Sequence, residues 1–238
     1  MKLIYVVIDG MGDLPIEELG GKTPLAAAET PNMDFLAKEG NIGLMYTVGK
    51  SLAPQSDAGV VSILGYDPFK YEASRGVMEA IGSGLAFKEG DVALRCNFTT
   101  LGPGEKILDR RAGRDLAEEE AAELSKAINS SVKLASYPAS FTFQNTTGYR
   151  GVLVIRGKGI HLSGRVTNTD PAYTRVEGVG VVNPNAKMFM QRCEPMDDTK
   201  EARVSAELIN EFLEKSHKVL EQSSLNKRRL AANKLSAN

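Results

Sequence analysis

Lys2-Leu3-Ile4-Tyr5-Val6-Val7-Ile8-Asp9-Gly10-Met11-Gly12-Asp13 is the stretch whose reading decides the fold. Leu3 to Ile8 is an unbroken apolar and aromatic run, which predicts a strand covered on both faces, as in a parallel sheet. Asp9 falls at its C-terminal end, where open α/β sheets place their ligands. The glycines that follow let the backbone turn sharply and let a ligand approach closely. A plain strand-to-loop turn with a solvated Asp9 fits the same letters, so this stretch alone leaves both readings open.

The chain has 238 residues, enough for one large domain or two small ones. With 42% hydrophobic and 25% charged residues it has ordinary globular composition. A formal net charge of −1 gives no field for nucleic acid or an anionic membrane. Cys96 and Cys193 form neither a metal-type spacing nor a disulfide framework. No apolar run is long enough to span a bilayer and no signal-peptide pattern opens the chain, so the expectation is a cytoplasmic protein.

Outward from the first stretch, Thr23-Pro24 and Thr30-Pro31 both read as helix starts, since Thr caps and Pro suits the first helical position. Met33, Leu36 and Ala37 follow at helical spacing, and Gly40 marks a stop. Asn41–Val48 reads as a second strand. A helix is expected over Ala58–Leu64, with Ser56 or Asp57 at its N-terminus. Both residues suit an N-cap, yet a serine there also lies in a positive partial field that favours a phosphate or an alkoxide.

Beyond Ser74 the character changes. Val92–Thr100 alternates, with Leu94, Cys96 and Phe98 on one side and Arg95 and Asn97 on the other. Lys106–Asp109 is its expected hairpin partner across Gly102-Pro103-Gly104. A helix is expected over Arg114–Ile128, then strands over Val132–Ala135, Ala139–Gln144 and Gly151–Arg156. This is an antiparallel α+β pattern, which places a domain boundary near residue 75. Gly157–Met196 reads as loop and Thr199–Gln222 as the longest helix. The tail Ser223–Asn238, with Lys227, Arg228, Arg229 and Lys234, reads as a solvated end without the aromatic interleaving of a nucleic-acid binder.

The chemistry narrows by exclusion. Gly10-Met11-Gly12 lacks the third glycine of a dinucleotide fingerprint and Pro15 follows, so that site fails. No P-loop pattern occurs. His161 and His217 are the two histidines, and neither has the setting of a catalytic triad. An aspartate at a strand end can hold a divalent metal, and a serine activated by such a metal needs no histidine base. Asp109-Arg110-Arg111-Ala112-Gly113-Arg114 gathers three arginines suited to phosphate or carboxylate; their other reading is a solvated turn paired with the glutamates that follow. Arg95, Arg150 and Arg156 read individually as surface charges.

Taken in order, Val6–Asp13, Thr23-Pro24-Leu25, Thr30–Asp34, Ser56-Asp57 with Gly65–Pro68, Arg95–Phe98 and Asp109–Arg114 resemble the archaeal-type 2,3-bisphosphoglycerate-independent phosphoglycerate mutases of the alkaline phosphatase superfamily. The resemblance covers the N-terminal portion of a longer enzyme. It implies an α/β fold, part of an alkaline-phosphatase-like core with an inserted α+β domain. Residues 1–75 would belong to the metal-binding core and residues 76–238 to an incomplete, inserted substrate-binding domain. It implies a small-molecule substrate, phosphoglycerate, with neither nucleic acid nor membrane as partner. It further implies two divalent metal ions (manganese, zinc, cobalt or magnesium) and no 2,3-bisphosphoglycerate. On matching positions Asp9 is an implied metal ligand. By the same resemblance Ser56 would be both a ligand and the nucleophile that forms a phosphoserine. Asp109, Arg110 and Arg114 would hold the substrate, and Asp57 would cap its helix or touch substrate. The family's further Asp and His ligands have no counterpart after Ser56. Other readings are a different phosphoester hydrolase or phosphomutase of the superfamily, and a non-catalytic fragment that binds a phospho-ligand through its arginines.

Overall fold

In the computed structural model the chain divides into two compact units, Met1–Tyr46 and Thr47–Asn238. The structure describes every residue except Met1, Asp9, Glu72, Ala73, Glu177 and Gly178. In the first unit both Thr-Pro pairs start helices. In α1 (Pro24–Ala27) the Thr23 hydroxyl accepts a hydrogen bond from the Ala26 N–H at 3.1 Å. Helix α2 (Pro31–Glu39) ends at Gly40, whose N–H donates to the Leu36 carbonyl.

The strands expected over Leu3–Ile8 and Asn41–Val48 do not form among the described residues. Side chains from Leu3 to Ile8 are 48–85% exposed. Apolarity predicts that such a run wants cover, but a strand also needs neighbours for its N–H and C=O groups. No strand among the described residues pairs with either segment.

The second unit contains α3 (Ser56–Ile63), α4 (Arg75–Gly82), β1 (Asp91–Asn97), β2 (Thr100–Leu101) and β3 (Ile107–Asp109). It continues with α5 (Glu118–Ser131), β4 (Ala139–Asn145), β5 (Arg150–Gly157), β6 (Tyr173–Val176), β7 (Val179–Val182), α6 (Lys200–Glu221) and α7 (Ser224–Ala231). The main sheet is antiparallel in the order β1-β5-β4, and β2–β3 and β6–β7 are two-stranded ribbons. The boundary expected near residue 75 falls at the start of α4, inside this unit.

Strand β5 decides the packing. Its Gly151–Ile155 segment is buried on both faces. Leu153 and Ile155 join Val92 and Phe143 in the main core, against Leu124 and Ile128 of α5 and Leu208 and Phe212 of α6. Val152 and Val154 face the other way with Ala93, and there Ala80 and Val77 of α4 cover them. Full burial of side chains this size stabilises by about 1.5–3 kcal/mol each. Helix α4 sits close because Gly76 lacks a side chain: a Cβ there would lie 2.1 Å from the Ala93 carbonyl oxygen.

Three departures have local causes. Helix α5 begins at Glu118 instead of Arg114 because Ala112, Gly113 and Arg114 adopt left-handed φ of 44°, 77° and 58°. Residues 132–135 are not a strand, since the Ala135 and Ser136 N–H groups donate to the Glu211 carboxylate at 2.8 and 3.0 Å. The loop expected over 157–196 contains the β6–β7 ribbon.

The tail departs furthest from expectation. Arg229 of α7 is 1% exposed and pairs with Asp115 at 2.6 Å and Glu120 at 2.5 Å. Its Nε donates to the Leu235 carbonyl at 2.9 Å. The Asn226 side chain clamps the Ala237 backbone, and the Asn238 side chain accepts from the Leu101 N–H at 2.9 Å. No helix among the described residues is long and apolar enough to cross a membrane.

Two outcomes follow from these contacts. Burial raises the Glu211 carboxyl, but hydrogen bonds from Lys215, Ser136 and the Ala135 backbone outweigh it and set its pKa at about 2, against an ordinary 4.5. A depressed folded-state pKa contributes stability above the unfolded value that is lost as pH falls through the folded one. Urea unfolding of Glu211→Gln should therefore show a deficit at pH 7 that shrinks between pH 4.5 and 2. Arg229→Met leaves Asp115 and Glu120 without their shared cation and should cost about 3 kcal/mol at pH 7 by the same measurement.

Candidate functional site

The second unit encloses a cleft of about 440 Å³ whose walls include Gln55, Asp57, Arg95, Arg110, Arg150 and Asp170. Each arrives by a different piece of local structure. Helix α3 presents its first turn there. Gln55 is its N-cap, donating its backbone N–H to the Gly180 carbonyl at 2.8 Å. The cap carries no side-chain hydrogen bond, so neither Ser56 nor Asp57 acts as the capping residue. Ser56 is the first helical residue and is exposed. Asp57 follows in the same turn, where the helix dipole favours its charge, and its buried Oδ1 has no hydrogen-bond partner among the described residues.

The arginine turn is built by Asp109. Its Oδ1 accepts from the Arg111 N–H at 2.6 Å and from the Gly113 N–H at 3.2 Å. This side-chain mimic of a backbone turn holds the left-handed residues 112–114. Arg229 supports the turn from below through the Ala112 carbonyl, at 3.4 Å. The result sends Arg110 and Arg111 into the cleft wall and leaves Arg114 exposed. Ser56, Asp109 and Arg114 do not themselves line the cleft.

Arg110 does not pair with the glutamates that follow it. Its guanidinium grips the carboxylate of Asp170, with Nε at 3.1 and 3.0 Å from the two oxygens and Nη2 on Oδ2. The ring of Tyr173 lies 5.1 Å beneath it. Burial works against the charge on Arg110, but the Asp170 hydrogen bonds outweigh it and hold the guanidinium above its ordinary pKa. Sequence reasoning could not name Asp170, because nothing local links residues sixty positions apart.

Metal chemistry finds few ligands here. Asp9 lies outside the described residues. Among the described residues no group of three or more His, Cys, Asp or Glu side chains is gathered to hold a metal ion. Two divalent ions, each needing about four or more ligands, could not be held by the described residues alone. His161 is exposed and adjoins Gly90, away from the cleft walls. His217 is half-buried on α6, its Nε2 3.7 Å from Glu221.

The folded chain is mixed α/β, of the alkaline-phosphatase-like class, with an arginine-lined cleft in its antiparallel part. Residues 37–226 match the family described as 2,3-bisphosphoglycerate-independent phosphoglycerate mutase, and the chain belongs to that family. A protein of that name from Aeropyrum pernix is 38% identical over 239 residues, covering 100% of this chain and 55% of the relative. One from Methanopyrus kandleri is 41% identical over 240 residues, covering 100% and 53%. The chain thus spans about half the length of the curated relatives it matches. A solved structure, the cofactor-independent phosphoglycerate mutase from Thermoplasma acidophilum, superposes with a TM-score of 0.56 at 33% identity over 97% of this chain and 56% of that one.

Cys96 also lines the cleft. Burial first, and the charge of Glu79 second, push its thiol up to about 12, and burial does the same for Cys193. At pH 8 both thiols should react with iodoacetamide about a thousandfold more slowly than an unperturbed cysteine, and at the ordinary rate in urea, as peptide mass spectrometry would measure.

Proposed function

We propose that this chain supplies the phosphoryl-accepting serine and the anion-binding arginines of a phosphoglycerate mutase that works without 2,3-bisphosphoglycerate. Such an isomerase interconverts 3-phosphoglycerate and 2-phosphoglycerate, as glycolysis and gluconeogenesis require. The observation that carries this reading is the single cleft shared by the first turn of α3 and by Arg110, in a chain of this family. Ser56 opens that turn, so a phosphoryl group on its oxygen sits in the favourable field of the helix N-terminus. Arg110, fixed by Asp170 and Tyr173, offers its remaining N–H groups to a phosphate or carboxylate.

The chemistry balances on one displacement and its reverse. The Ser56 oxygen attacks the substrate phosphorus, the bond to the 3-oxygen breaks, and the glycerate 3-oxygen takes up a proton as the serine loses its own. Glycerate then re-presents its 2-hydroxyl and the steps run backwards. Arg110, on the turn that Asp109 shapes, would hold the glycerate so that it turns without leaving. Asp9 and Ser56 would be this chain's ligands to the divalent ions, manganese or a relative. Residues 1–75 would form part of the metal-binding core and 76–238 the substrate-binding domain. A cytoplasmic setting suits such a substrate.

In a catalytically competent enzyme containing this chain, Ser56→Ala should lower interconversion more than a thousandfold and remove the phosphoserine trapped by acid quench. Its melting temperature should hardly move, because Ser56 is exposed and makes no capping bond. Turnover retained in that variant overturns the assignment.

A further inference from the structure

The face of the main sheet opposite its main core carries a charge arrangement that the arginine turn does not account for. The register pairs Arg95 of β1 with Val152 of β5 and Asn97 with Arg150. Directly opposed residues share a face, so Arg95 and Arg150 are diagonal neighbours on it, about 7–8 Å apart at Cα in such ladders. Helix α4 packs on that same face through Ala80 and Val77, and the close approach of Gly76 to Ala93 brings Arg75, in the first turn, beside them. All three arginines line the cleft.

Their compensation is incomplete. Glu79 of α4 pairs with Arg95 at 3.1 Å, both side chains being under 20% exposed. The same carboxylate accepts from the Thr146 hydroxyl at 2.7 Å. Neither Arg75 nor Arg150 forms an ion pair within 4 Å among the described residues; Arg150 rests over the Tyr149 ring at 5.7 Å. Like charges this near one another repel, and the burial of Arg95 strengthens the repulsion it feels. Arg95 registers it: burial, then the charge of Arg75, and more weakly that of Arg150, lower its pKa against the pull of Glu79.

We propose that Arg75, Arg95 and Arg150 form a second anion subsite of the cleft, separate from Arg110, which takes one of the two anionic groups of the substrate. The inference rests on the phosphoglycerate reading for the identity of the ligand, though not for its charge. Two cationic poles in one cleft recognise a small molecule with an anion at each end, and they reject ligands with only one. Arg75 and Arg150 are thus specificity-determining residues, while Arg95 with Glu79 positions them.

The test is calorimetric titration of the 238-residue chain with 3-phosphoglycerate, glycerol 3-phosphate and glycerate. The unaltered chain should prefer 3-phosphoglycerate to either single-anion compound. The pair Arg75→Gln/Arg150→Gln should bind it at least tenfold more weakly, no better than one of those compounds. Arg150→Gln alone, at an exposed position, should show part of the loss with an unchanged melting temperature. An unchanged preference in both variants overturns the subsite, as does the absence of anion binding by the unaltered chain. If the chain instead binds ribose 1,5-bisphosphate in an Arg75- and Arg150-dependent way and ignores 3-phosphoglycerate, the subsite stands and the phosphoglycerate reading falls.

Discussion

The antiparallel register of β1 on β5 is the constraint from which both the core and the cleft follow. Side chains alternate along a strand, so one register sends Val92 and Leu94 toward α5 and α6 and sends Ala93 and Arg95 toward α4. A slip of one residue would bury Arg95 against Phe143 and Phe212 and turn the apolar set outward. The register is held by burial on two sides at once, which is why β5 reads as a continuous apolar run despite its antiparallel neighbours. Gly76 closes the arrangement, since any side chain there would lift α4, and Arg75 with it, off the sheet.

What was legible in the sequence is what local physics decides. Alternation located β1, and Thr-Pro located both helices of the first unit, because the fixed φ of proline, and at Thr23 a side-chain cap as well, act over three or four residues. The longest helix, α6, was equally clear, with Thr199 accepting from the Ala202 N–H at 3.2 Å as its cap. What failed depends on partners far away in sequence. Leu3–Ile8 has the composition of a buried strand, but composition cannot supply a neighbouring strand. Val132–Ala135 has strand-like residues too, yet Glu211, more than seventy positions on, takes the N–H groups a ladder would have used.

The candidate site was legible in the same partial way. The run Asp109–Arg114 reads as an anion-binding turn, but its letters do not say which of its arginines line the cleft, as Arg110 and Arg111 do and Arg114 does not. That is settled by left-handed backbone at residues 112–114 and by Arg229, which reaches the Ala112 carbonyl from the other end of the unit. A tail rich in lysine and arginine reads as solvated because isolated cations in such tails usually are. Here one of them is buried between two carboxylates and stiffens the turn that carries Arg110.

Charge placement then separates structural arginines from functional ones. Arg229 and Arg156 are matched: the first by Asp115 and Glu120, the second by Asp91, whose carboxyl it holds below the ordinary range. Such pairs satisfy themselves and have little left to offer a ligand. Arg110 is matched through Nε and one Nη, which fixes its plane but leaves N–H groups for a further acceptor. Around Arg95 a single carboxylate meets several cations, and the folded chain bears their repulsion. A bound anion would relieve it. The number of carboxylates within reach of each guanidinium, more than the number of arginines in the sequence, therefore marks where the cleft has positive charge left to offer.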